Sequence, residues 1–178
     1  METLNIKDYL GNLPRFIADK KDTVVVYNDK PCVLYGADEF NESYCRDNSI
    51  PIYHTHTFGA TIVDFAGDIC VGNYQSDFND FGIDLLVKIV EWLKTKNLNA
   101  TLIGNEVLID ETYKVASFMS QYIDGCLYTG IHISVNCDSS LVNTICTTKR
   151  YTIPKGLTDY GITEQEVNKF VLDTLGQN

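Results

Sequence analysis

Basic residues are scarce in this chain. Fourteen lysines and arginines stand against 24 aspartates and glutamates, giving a net charge of -10 over 178 residues. General binding to nucleic acid needs a basic surface that displaces counterions, and this balance excludes it. A single nucleotide held by main-chain amides and one lysine stays compatible. Long apolar runs are also missing, so no segment reads as a membrane span. The first residues, METLNIKDYLG, lack the basic run and apolar core of a signal peptide. C-x-x-C pairs are absent, and six cysteines are scattered at positions 32, 45, 70, 126, 137 and 146. In a cytoplasmic chain, the expected setting here, such cysteines are small buried apolar residues. Repeats, low-complexity tracts and linkers are absent too, so one unit over 1–178 is expected.

What is present is a globular composition, 44% hydrophobic, with patterns of both periods. Residues 4–19 read as one or two helices, with Pro14 as a break or new start. Residues 22–27 (DTVVVY) form a strand, and 31–36 (PCVLYG) return after a turn. A short polar helix over 37–47 and a strand over 49–55 follow. Residues 58–65 and 68–74 read as a hairpin over Ala66-Gly67. The clearest helix spans 78–97: Ile83, Leu86, Val90 and Leu93 recur at helical spacing, widened by Leu85, Ile89 and Trp92. Residues 137–148 read as a loop or short helix. A capping box, Thr163 to Glu166, opens a closing helix over 163–175. Many hairpins with few helices indicate an α+β fold, a mixed or antiparallel sheet packed with helices.

The stretch 104–136 organises the rest. Asp124-Gly125 lies between two alternating runs, the strongest short-range hairpin signal. A turn there sets Ile123 opposite Cys126, Phe118 opposite Ile131, and Lys114 opposite Val135. Lys114 then ends an otherwise apolar face, and an unpaired ammonium is costly to bury. Either it snorkels out at the sheet edge, or it meets an anion. His54 and His56 put two imidazoles on one face of a strand. A metal would need a third ligand from Asp64, Asp68 or His132, and none is expected to bind.

Three segments together resemble the biotin/lipoate–protein ligase family. VVVYNDKPCVLYG with SIPIYHT is similar to its opening run of strand, turn, strand, helix and strand. THTFGATIVDFAGD (55–68) lies where the family has an arginine- and glycine-rich loop; here His54-Thr55 replace the paired arginines and only Gly59 of the glycines remains. GNEVLIDETYKVASF is similar to the motif holding the catalytic lysine, with Asn105, Asp110, Lys114 and Ser117 matching in order. The resemblance spans roughly residues 22–142.

It implies a biotin/lipoate–protein ligase catalytic-domain-like fold without the accessory C-terminal domain. It implies activation of a lipoate- or octanoate-like acid as an adenylate and transfer to a lysine of a carrier, lipoyl-type domain. Lys114 would be the catalytic residue, and His54, Thr57, Gly59, Asn105, Val115 and Ala116 would bind substrate. ATP with magnesium would be the cofactor. Residues 114–136 are similar also to octanoyl transferases, implying ATP-independent transfer through Cys146. The reduced glycine loop leaves a third possibility, a non-catalytic binding module on the same fold. Neither nucleic acid nor membrane is an expected partner.

Overall fold

The computed structural model describes residues 2–5, 23–27, 30–36, 38–54, 60–75, 80–123, 125–148 and 150–176. These form two sheets and the helices that cover them. The main sheet contains eight strands: β1 (Glu2–Asn5), β2 (Thr23–Tyr27), β6 (Ile69–Gln75), β7 (Ala100–Ile103), β8 (Glu106–Ile109), β9 (Tyr113–Ile123), β10 (Cys126–Ile133) and β11 (Ile153–Pro154). Its order is β1-β2-β6-β10-β9-β8-β7, with β11 beside β9. Among the described residues of this sheet, only the β1–β2 and β11–β9 pairings are parallel. In the small sheet, β3 (Cys32–Tyr35) lies between β4 (Ile52–His54) and β5 (Ile62–Asp64).

Three buried clusters separate the layers. The largest lies under helices α2 (Phe81–Thr95) and α4 (Glu164–Leu175). There Leu86, Ile89, Leu93, Val167 and Val171 meet Val25, Val71, Ile131 and Ile133 of the main sheet. The second lies between the sheets and contains Val26, Cys32, Leu34 and Tyr74. The third joins the outer side of the small sheet to α1 (Glu42–Asp47) and α3 (Ser139–Ile145), through Val33, Val63, Cys45 and Ile145. Truncating a buried residue such as Leu86 to alanine costs about 3 kcal/mol in such a setting.

This layering overturns two sequence expectations. The strands over 22–27 and 31–36 do not pair with each other, and neither do those over 58–65 and 68–74. In each case the two strands belong to different sheets. Val25 and Val26 are both buried although they point to opposite faces. A strand covered on both sides must sit between layers, and such strands read as continuous apolar runs. The turn at Ala66-Gly67 is real, with Asp68 N donating to Phe65 O and Gly67 at φ +87°.

Smaller differences have local causes. Leu4 and Asn5 belong to β1, not to a helix, and residues 6–19 lie outside the described residues. α1 starts late because Asn41 caps it, accepting from Tyr44 N. Ile83 is 43% exposed and leaves the buried stripe of α2. The stripe instead starts at buried Gly82, where an added Cβ would lie 2.5 Å from the Phe118 ring. The capping box at Thr163 and Glu166 is present.

Candidate functional site

Strand pairing sets the site. Reading across the main sheet, Val26, Cys70, His132, Ser117 and Glu106 stand side by side on β2, β6, β10, β9 and β8. Ile131 and Ile133 point into the helical core, so this row faces the small sheet. One row along, Gly72 pairs with Gly130. The Tyr128 ring lies over Gly130: an added Cβ there would lie 2.7 Å from Tyr128 Oη. The small sheet sends Cys32, Leu34, Ile62 and Asp64 inward and Val33 and Val63 outward.

At the centre of this intersheet layer, His132 Nε2 is 3.1 Å from Asp64 Oδ1 and 3.3 Å from Asp68 Oδ2. Asp64 and Asp68 are each 1% exposed. Asp68 is a main-chain tie: Oδ1 accepts from Val135 N (2.7 Å) and Asn136 N (2.9 Å), and Oδ2 from Phe65 N (2.9 Å). Three amide donors on one carboxyl hold it as the acceptor-only anion. Burial, the largest influence, leaves the Asp68 pKa raised despite the pull of His132, while the three amide donors favour the carboxylate form. Burial disfavours a charged His132, but the hydrogen bonds and charges of Asp64 and Asp68 outweigh it and raise its pKa to about 9. Asp64 also receives Cys70 Sγ at 3.8 Å and Cys32 Sγ at 4.0 Å. Burial, then the two carboxylates, push the Cys70 thiol well up.

Lys114 lies on the same face of β9. A bulge between Val107 and Leu108 sets Lys114 opposite Leu108 while Val107 stays opposite Ala116, so Val115 is the extra residue. Val115 and Ala116 therefore both enter the core under α2, and only their main chain could touch a ligand on the other face. The Lys114 ammonium is 3.0 Å from Glu106 Oε1, with the lysine side chain 18% exposed. Glu106 Oε2 accepts from Thr152 Oγ1 at 3.3 Å. The hairpin register is as expected, Ile123 with Cys126 and Phe118 with Ile131. Beyond Ala116, however, β11 replaces β10, and Lys114 pairs with Pro154, not Val135.

The remaining sequence candidates scatter. Asn105 is exposed in the β7–β8 turn and donates to Phe118 O at 2.7 Å. His54 is exposed on β4, with its ring 5.0 Å from that of Tyr35. His56, Thr57 and Gly59 lie outside the described residues. Cys146 belongs to the outer cluster, on the far side of the small sheet from Asp64. There its sulfur accepts from Arg150 Nη2 at 3.0 Å. Sequence reading passed over Glu106 and Cys70, and noted Asp64, Asp68 and His132 only as spare metal ligands. The one available signal was His132, a polar residue within an apolar strand.

Neither a protein-family model nor a curated protein matches the sequence. Solved structures do match. P. falciparum LipL1 in complex with lipoate superposes with a TM-score of 0.79 at 13% identity. The match covers 99% of this chain and 59% of that one, so the chain spans less than two thirds of LipL1. The bipartite lipoate protein ligase of Thermoplasma acidophilum, described with its E2 lipoyl domain, gives 0.78 at 14% identity, covering 99% and 82%. A lipoate-protein ligase A bound with ATP gives 0.76 at 15%, again covering 99% and 82%. At these identities the likeness speaks for architecture: the chain has the α+β fold of the lipoate–protein ligases.

Proposed function

We propose that this chain is a divergent acyl–protein ligase, or a transferase of the same kind. It would take a carboxylic acid with an aliphatic tail, lipoate- or octanoate-like, and pass it to a lysine of a lipoyl-type carrier domain. One observation carries the reading. Lys114 stands on the intersheet face of a fold shared with proteins described bound to lipoate and to ATP.

In this reading the ammonium of Lys114 leaves Glu106 and meets the carboxylate of the acid, or a phosphate oxygen. It then stabilises negative charge that grows during acyl transfer. The side chain is suited to that exchange, being partly buried on an ordered strand with a partner only one strand away. ATP would supply the adenylyl group that activates the acid. The donor set fits such a cofactor in kind: Lys114 for a phosphate, and a Glu106 carboxylate oxygen of the sort magnesium takes.

The test is incubation with ATP, magnesium, lipoate or octanoate, and a lipoyl-type carrier domain, read by intact mass. Transfer adds the acyl mass to the carrier, and Lys114→Ala abolishes it. No mass shift with any acid, together with no adenylate, would overturn the reading. One observation favours a non-catalytic module instead: Glu106 already neutralises Lys114. Calorimetry separates the two, because a module binds the acid and turns nothing over.

A further inference from the structure

We propose that Asp64, Cys70 and His132 form a three-ligand site for a zinc-like divalent cation that pins the small sheet to the main sheet. This holds whether or not the chain transfers acyl groups.

The argument starts from an unequal pair of carboxylates. Asp68 and Asp64 are equally buried, but their partners differ in kind. Asp68 receives three main-chain N–H groups. Asp64 receives two thiols, at 3.8 and 4.0 Å, and an imidazole it shares with Asp68. Thiols are weak donors, and a buried carboxylate needs strong ones. Around Asp64 Oδ1, an oxygen, a nitrogen and the Cys70 sulfur converge, a poor hydrogen-bonding arrangement and a good zinc donor set.

The spacing agrees. Bonds of about 2.0–2.3 Å in a tetrahedron set donor–donor edges of roughly 3.3–3.8 Å. His132 Nε2 to Asp64 Oδ1 is 3.1 Å, and Cys70 Sγ to Asp64 Oδ1 is 3.8 Å. All three donor atoms lie within 4.8 Å of one another. Rigid elements supply them. Cys70 and His132 are direct cross-strand partners on β6 and β10. Cys32 and Asp64 are partners on β3 and β5. The main sheet thus contributes Cys70 and His132 and the small sheet Asp64, and a cation between them bridges the layers.

Proton balance is simple. As the metal bonds form, the Cys70 thiol and the His132 Nε2–H each release a proton to solvent. Asp64 binds through a carboxylate oxygen, and no oxidation state changes. Asp68 keeps its three amide bonds and gives up its contact with Nε2 to the metal.

The experiment uses the full chain, stripped with a chelator under reducing conditions and titrated with Co2+. The expected result is one equivalent bound, with thiolate-to-cobalt charge-transfer absorption and the visible bands of a tetrahedral ion, both displaced by Zn2+. Cys70→Ser should weaken binding at least tenfold, while Cys126→Ser, altering a buried thiol elsewhere on β10, should leave it unchanged. Zn2+ should raise the melting temperature of the wild-type chain and not that of Cys70→Ser. If Cys70→Ser does not fold, the wild-type cobalt spectrum decides alone. Absence of the charge-transfer band, or equal affinity in a folded Cys70→Ser, would overturn the site and leave a proton-bridged His132–Asp64 pair.

Discussion

Lys114 reaches across one strand to Glu106, 3.0 Å away, on the face of the sheet that carries His132. Any anion Lys114 serves has to displace that carboxylate. Glu106→Gln removes the competitor, so octanoate should bind roughly three- to tenfold more tightly, about 1 kcal/mol for a partly exposed pair. Lys114→Ala should lose binding. Calorimetry with octanoate checks both, and unchanged affinity in each variant would remove Lys114 from the acid site.

Asp68→Asn replaces an acceptor of three N–H groups with a side chain that turns an NH2 toward one of them. A buried donor facing a donor, with His132 left poorly paired, should cost about 3 kcal/mol. Urea unfolding would show this as a lower midpoint at unchanged slope.

Gly156 makes a close approach between backbones. An added Cβ would lie 2.7 Å from Val135 O and 2.8 Å from Cys137 N, and main chain cannot step aside as a side chain can. Gly156→Ala should therefore destabilise by about 2 kcal/mol or more, despite an extended backbone that alanine adopts freely. Thermal melts would report it, and an unchanged melting temperature would contradict the packing.

Glu166 should carry an acid-side pH dependence. Its hydrogen bond from Lys96, followed by those within the capping box, lowers its pKa from 4.5 to about 2. A depressed folded pKa gives stability that is present above pH 4.5 and lost as pH falls from there toward 2. Melting temperature should fall over that window, and Glu166→Gln should flatten the fall.

Cys146→Ser should retain any acyl transfer. The sulfur is buried among Cys45, Val142 and Ile145 on the outer side of the small sheet. Loss of transfer with the fold intact would instead support a thioester route.

The local rules were legible. Alternation around Asp124-Gly125 gave the β9–β10 register because a two-residue turn leaves one way to face the apolar sides together. The 3.6-residue period found α2, and Thr163 with Glu166 found the start of α4, each set by neighbours within a few positions. Ile83 was misread because the stripe runs through Gly82, and a glycine has no hydrophobicity to betray a close contact.

Pairings between layers were not legible. Residues 22–36 and 58–74 read as hairpins because a turn between two apolar runs looks the same whether the chain folds back or crosses to another sheet. That choice was made by the need to bury both faces of β2, which no local pattern encodes. It is also what brings Asp64 to His132, 68 positions later, and Cys32 to Asp64 across the small sheet. The sequence by itself determined the β9–β10 hairpin, its alternation and the presence of Lys114 on β9. Only the tertiary structure decided that Glu106 neutralises the lysine and that acid, imidazole and thiols converge between the sheets, because these contacts depend on how layers stack and not on neighbours along the chain.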